Sequence, residues 1–164
     1  MPNWLKRVLS APNALYGWGL GRIFGHRFLQ LTHTGRKTGT RYRVVVEVVR
    51  YDRSTGEAVV MSGFGRHSGW FRNVTAGTPA WADFGRGPVP AAHRVLDTDE
   101  AAEVVRDYER RMRLVWPIVR SVLGRLAGFT YRGTVADRRR LVQTLPLMAF
   151  TPLHSRRAYP SDPT

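Results

Sequence analysis

Alternation of apolar and polar positions is clearest over Arg41–Tyr51, where Val44, Val46 and Val48 share one side and Val45, Glu47 and Val49 the other. Period two with β-branched side chains predicts a strand. Phe28–Thr34 reads as a strand before it and Glu57–Ser62 as one after it, with Asp52-Arg53-Ser54-Thr55-Gly56 as the turn of a hairpin over 41–62. Ala80–Phe84 and Val89–Leu96 form another pair around Gly85-Arg86-Gly87-Pro88, and Leu145–Thr151 a last strand.

Helical spacing occurs in fewer places. Ser68 is placed to cap a short helix holding Trp70, Phe71, Asn73 and Val74, which Gly77-Thr78-Pro79 ends. Asp97 with Glu100 resembles a capping box, so a helix is expected over Asp99–Leu126, broken or bent near Pro117. Its stretch Tyr108–Arg113 is basic on nearly every side and reads as an exposed or ligand-facing turn. Asp137–Thr144 reads as one more short helix. Trp4, Leu5, Val8 and Leu9 follow helical spacing until Pro12 and the glycines 17, 19 and 21 interrupt them. This aromatic, basic segment suits either a helix packed on the core or one lying on an anionic bilayer. Strands fill the first two thirds and helices the ends, which predicts an α+β fold with an antiparallel barrel. One domain is expected over 1–164: a helical segment 1–26, the barrel with inserted helices 27–151, and a loose tail 152–164.

Composition narrows the chemistry. There is no cysteine, so disulfides and thiolate chemistry are excluded, and the five histidines (26, 33, 67, 93, 154) show no metal-ligand spacing. No Gly-x-Ser-x-Gly elbow is present. With 12 carboxylates, most in turns and helix starts, acid–base chemistry between carboxylates is a poor fit. Side chains this poorly equipped for hard chemistry point to a borrowed cofactor or to binding alone. The net charge of +14 implies an anionic partner. A nucleic-acid-binding barrel would interleave aromatics with cations on exposed strands, yet the long strand is aliphatic. With no membrane-span-length apolar run and no secretory pattern at the N-terminus, a cytoplasmic location is expected, with peripheral contact to an anionic membrane as a further possibility.

Two loops carry the candidate chemistry. Leu31–Arg43 holds Gly35 and Gly39, Arg36, Arg41, Arg43 and Lys37 with no carboxylate, a composition that suits a phosphate or another anion. It lacks P-loop spacing, and a basic surface turn would look the same. The second, Ser62–Asn73, brings Trp70 and Asn73 onto one face about a turn apart, which suits a flat heterocycle with polar edges.

The order Thr34-Gly35-Arg36-Lys37-Thr38-Gly39, a valine-rich strand, Met61-Ser62-Gly63, Gly69-Trp70-Phe71-Arg72-Asn73 and Gly77-Thr78-Pro79 resembles the deazaflavin-dependent nitroreductases over about residues 27–150. That resemblance implies a split β-barrel of the FMN-binding type. It implies an oxidoreductase that passes hydride from reduced coenzyme F-420, rather than FMN, to a quinone, nitroaromatic or activated alkene. It also implies that Arg36 and Lys37 hold the phosphate or oligoglutamate tail, with Thr38 and Gly39 completing the cradle. Arg41 or Arg43 would serve as a further cation, for Tyr42 occupies the position nearest the family's arginine. Ser62 and Gly63 would meet the ring or phosphate region, and Trp70 and Asn73 would pack and bond around the cofactor. Relatives often carry lysine directly after the position of Ser62, where this chain has Gly63 and then Phe64. Loss of that cation keeps open a second reading, a barrel that binds a fatty acid without catalysis. No catalytic residue is assigned; the proton would come from solvent or from a tyrosine, with Tyr108 and Tyr131 candidates by residue type only.

Overall fold

The computed structural model describes residues 26–153, so the expectations for the N-terminal helical segment and most of the tail lie outside the described residues. Six strands close into an antiparallel barrel: β1 (Phe28–Thr34), β2 (Arg41–Tyr51), β3 (Ala58–Met61), β4 (Ala80–Asp83), β5 (Val89–Val95) and β6 (Leu147–Pro152). Around the barrel they run β1-β2-β3-β6-β5-β4, and β4 pairs back onto β1. The helices are α1 (Gly69–Thr75), α2 (Thr98–Arg111), α3 (Trp116–Ala127) and α4 (Val135–Thr144). This is the α+β architecture with an antiparallel barrel that the patterning and the resemblance both implied.

Two apolar clusters explain the strand patterns. Leu29, Leu31, Val48, Ala58, Val60, Met148 and Phe150 fill the barrel, and Trp70, Phe71 and Val74 of α1 join them. Val49, Val59, Leu147 and Ala149 face outward and are covered by α2, α3 and α4 through Val104, Val105, Leu123 and Leu141. β3 and β6 are therefore buried on both faces, which is why they read as unbroken apolar runs and not as alternations. In β2 the alternation Val44, Val46, Val48 does face the interior. A register shift between Val48 and Arg50 then leaves Val49 as an extra residue and turns Tyr51 inward.

Several boundaries differ from the sequence expectation. The long helix is two helices: α2 ends at Arg111 and α3 begins at Trp116, with Pro117 in its first turn, where a missing N–H costs nothing. Asp97 caps α2 by accepting from the Asp99 and Glu100 N–H groups, but the Glu100 carboxylate does not return the bond. It pairs with Arg94 and Arg50 instead. Tyr108 is buried in the last turn of α2, so Tyr108–Arg113 is not an exposed turn throughout. α4 starts two residues earlier than expected because Thr134 and Asp137 form a true capping box. The last strand starts two residues later: Leu145 still closes α4, its N–H donating to Leu141 O at 2.7 Å, and Pro146 has no N–H to give a ladder.

Candidate functional site

At the mouth of the barrel, the Gly35–Thr40 loop that joins β1 to β2 faces α1 across a cleft of about 720 Å³. The β1–β2 register brings Thr34 opposite Arg41, so the six-residue loop starts from a fixed base. Inside it, Gly35 N–H donates to Thr40 O at 2.7 Å and Gly39 N–H to Gly35 O at 2.9 Å. Gly39 sits at φ 69°, a left-handed conformation in which side chains are strained. A Cβ at Gly35 would lie 2.9 Å from the Tyr42 ring, so only glycine lets that ring fold over the loop. The Arg36 N–H donates to Asn73 Oδ1 at 3.2 Å and the Thr40 N–H to Thr38 Oγ1 at 3.3 Å. Among the described residues, the Lys37 and Thr38 N–H groups have no partner. The loop thus offers two adjacent amides and two cationic side chains on one wall.

The opposite wall comes from α1 and the turn before it. Asn73 is 6% exposed and ties three elements together. Its Oδ1 also accepts from the Arg36 guanidinium at 2.9 Å, and its Nδ2 lies 3.1 Å from His33 Nδ1. Two donors converge on Oδ1, so the amide orientation is forced, and Nδ2 must be the donor to His33. His33 Nδ1 is then the acceptor, and the neutral ring carries its proton on Nε2. Burial pushes the His33 pKa below its ordinary value, against a smaller opposing effect of the Thr34 carbonyl. The ring stacks on Tyr42, centroid to centroid 5.7 Å.

Of the residues expected at the site, Arg36, Lys37, Thr38, Trp70 and Asn73 line this cleft. Trp70 is nearly buried, edge-on to Phe71 at 5.6 Å, so it anchors the core and shows the cleft only a margin. Gly39 shapes the loop without lining the cleft. Arg41 and Arg43 do not line it either: Tyr42 between them does, and neighbours along a strand point to the other face. Ser62 is fully buried; its hydroxyl donates to Gly65 O at 2.7 Å and meets Ser68 Oγ at 2.8 Å. Since the Ser62 proton is engaged, Ser68 is the donor in that pair. Ser68 holds the N-terminal position of α1 but makes no side-chain cap, because its hydroxyl is turned to Ser62. Gly63 faces Leu126, 3.8 Å from a built Cβ, and not the cleft. Phe64, the next residue, does line it.

Tyr108 and Tyr131 lie elsewhere. The Tyr108 hydroxyl donates to Glu47 at 3.0 Å and that of Tyr131 to Glu109. Burial first, and then the neighbouring carboxylate, pushes both phenols well above their ordinary pKa. Sequence reasoning did not select His33, Tyr42, Phe64 or His67 for the site, yet all four line the cleft. The signal for His33 was parity: Leu29 and Leu31 face the barrel interior, and the same face two residues on is His33 at the mouth. Among the described residues, no cluster of histidines and carboxylates could hold a metal, and no helix is long and apolar enough to cross a membrane.

The fold is that of an α+β antiparallel barrel. No protein-family model and no curated protein matches the chain. Among solved structures, an F-420-H2 dependent reductase is similar at 18% identity, covering 77% of this chain and 95% of that one, with a TM-score of 0.44. A pyridoxamine 5'-phosphate oxidase-related, FMN-binding protein from Nostoc punctiforme is similar at 12% identity over 85% of this chain and 78% of its own, with a TM-score of 0.44. A domain-swapped dimer is similar at 17% identity, 90% and 97% coverage and a TM-score of 0.46. Similarities this slight carry no weight for function, which has to be read from the cleft.

Proposed function

We propose that the protein is an oxidoreductase that holds coenzyme F-420 in the cleft between the Gly35–Thr40 loop and α1 and reduces an electron-poor acceptor, such as a quinone, a nitroaromatic or an activated alkene. One observation carries the reading. Two cations, and two backbone amides without a partner among the described residues, belong to the loop that forms one wall, and Tyr42, Phe64 and the margin of Trp70 line the cleft with them. That is an anion holder beside flat apolar surface, at a size suited to a cofactor of several hundred cubic ångströms. Of the motifs that resemble the deazaflavin-dependent nitroreductases, Gly35, Arg36, Lys37 and Thr38 of the first and Gly69, Trp70 and Asn73 of the fourth line this cleft.

Lys37 and the free guanidinium N–H groups of Arg36 would hold the cofactor's phosphate or tail carboxylates by charge-assisted hydrogen bonds, with the Lys37 and Thr38 amides beside them. Tyr42, Phe64 and Trp70 would enclose the ring and exclude water from it. When bound, the deazaflavin supplies hydride transfer. Among the described residues the tyrosine that lines this cleft is Tyr42, so it, or solvent, is the source of the proton in this reading, and Tyr108 and Tyr131 serve the scaffold.

The test is a fluorescence titration of the purified protein with oxidised coenzyme F-420, with FMN as comparator, at two salt concentrations. The expected result is saturable binding of the deazaflavin, weaker at high salt, and poor binding of FMN. If neither binds, the reading is wrong, and a co-purified fatty acid becomes the ligand to look for.

A further inference from the structure

The outer face of α3 and the turn before it present aliphatic side chains to solvent. Leu114 is 89% exposed and Ile118 68%, and Val115 and Val122 are also exposed. Ile118 and Val122 are spaced by four on α3 and share one side of it, and Leu114 and Val115 come from the turn just before it. The core-facing side of the same helix is separate: Trp116, Val119, Leu123 and Leu126 pack inward. A contiguous aliphatic stripe beyond the needs of the core marks a surface that something covers.

The charge around the stripe is of one sign. Arg110, Arg113, Arg120, Arg125 and Arg132 are all exposed, and the sequence has no carboxylate between Glu109 and Asp137. Those two flanking carboxylates are engaged elsewhere. Glu109 takes both Arg138 Nε at 3.0 Å and Arg138 Nη2 at 2.6 Å, together with the Tyr131 hydroxyl. Asp137 accepts from the Arg132 and Thr134 N–H groups at the start of α4. Within 110–136, therefore, nothing acidic opposes the approach of a negative surface. Aliphatic side chains between arginines, without stacking aromatics among them, are the composition of a helix that lies in the headgroup layer.

We infer that α3 with its preceding turn is a docking surface for an anionic lipid bilayer, inserting Leu114, Val115, Ile118 and Val122 while Arg113 and Arg125 meet the headgroups. The protein lies on the membrane by this face. This surface is independent of the cofactor assignment, and none of its residues lines the cleft.

The test is co-sedimentation of the full chain with vesicles of phosphatidylglycerol and phosphatidylcholine, against vesicles of phosphatidylcholine alone. The protein should sediment with the anionic vesicles, less so at high salt. Leu114→Ser with Ile118→Ser should lower the partition coefficient by about tenfold or more. Arg113→Gln with Arg125→Gln should lower it about fivefold per arginine. All four positions are exposed, so both variants should melt with the wild type and keep its affinity for the cleft ligand. Three results would overturn the inference: no sedimentation of the wild type with anionic vesicles, equal sedimentation of wild type and serine variant, or a wild-type dimer in light scattering that the serine variant dissolves. The last would assign the stripe to a second copy of the chain.

Discussion

Asn73→Ala removes the side chain that joins β1, the Gly35–Thr40 loop and α1. The lost bonds are two neutral ones, to the Arg36 N–H at 3.2 Å and His33 Nδ1 at 3.1 Å, and one charged, to the Arg36 guanidinium at 2.9 Å. Neutral bonds are worth about 1 kcal/mol each and a charged one about 1.5–3 kcal/mol. The two Arg36 donors border an open cleft and regain water, so their share is discounted. His33 is buried and does not, which leaves an unpaired acceptor costing about 1–3 kcal/mol. The expected loss is about 2–3 kcal/mol, read as a lower urea midpoint with an unchanged slope. In a His33→Ala background the same substitution should cost about 1 kcal/mol less, because the pair is already broken. Asn73→Asp adds a sign test. A carboxylate against Nδ1 demands a proton there, so the His33 pKa, which burial lowers in the wild type, should rise in an NMR titration. A loss under about 0.5 kcal/mol for Asn73→Ala, with the Arg36 amide exchanging as in the wild type, would refute the bridge.

Other perturbations follow from the same geometry. Lys37→Ala should leave the melting temperature unchanged and weaken binding of an anionic cleft ligand roughly tenfold, and Arg36→Ala with Lys37→Ala roughly a hundredfold or more, as the titration reads. Unchanged affinity in the double variant would remove the loop from the site. Glu109→Ala strands Arg138, whose side chain is 17% exposed, and should cost about 2 kcal/mol in urea unfolding; a loss below about 0.5 kcal/mol contradicts a stabilising role for this half-buried pair. The Arg94 hydrogen bonds, with Arg50 adding to them, hold the Glu100 carboxyl down at about 2 from its ordinary 4.5. A depressed folded-state pKa means that the contribution is whole above pH 4.5 and is lost as pH falls towards 2, so stability should drop across that window and Glu100→Gln should flatten the drop.

What was legible in the sequence follows from which interactions are local. The alternation of β2 could be read because one repeating choice, valine on the inner face, decides it. The bulge at Val49 could not, since it answers to β3 on one side and the helices on the other. Asp97 was readable as a cap because its acceptors' donors are two and three residues away. Ser68 was readable as a position but not as a bond: its hydroxyl prefers Ser62, six residues off and buried. Pro117 was placed correctly as a disruption, yet as the start of α3 and not a bend, because the exposed turn at Arg113–Leu114 had already ended α2. The composition of the two loops brought Arg36, Lys37, Thr38, Trp70 and Asn73 forward. The bond between Arg36 and Asn73, 37 residues apart, has no local signature.

Counting valences shows what that bond does for the cleft. The Asn73 amide has two acceptor sites and two N–H groups; both acceptor sites face Arg36 and one N–H faces His33, so at most one N–H is left for a ligand. Arg36 has five donors and gives one to Asn73, which leaves four. In the proposed reading Asn73 is therefore mainly the residue that aims Arg36, and Arg36 is the one that would meet the anion. A guanidinium held by a buried amide reaches its ligand with much of its rotamer freedom already lost, so less is forfeited on binding. Lysine at position 36 carries the same charge but lacks the planar fork needed to meet amide and anion at once. On the proposed reading, arginine is therefore expected there for its shape as much as for its charge.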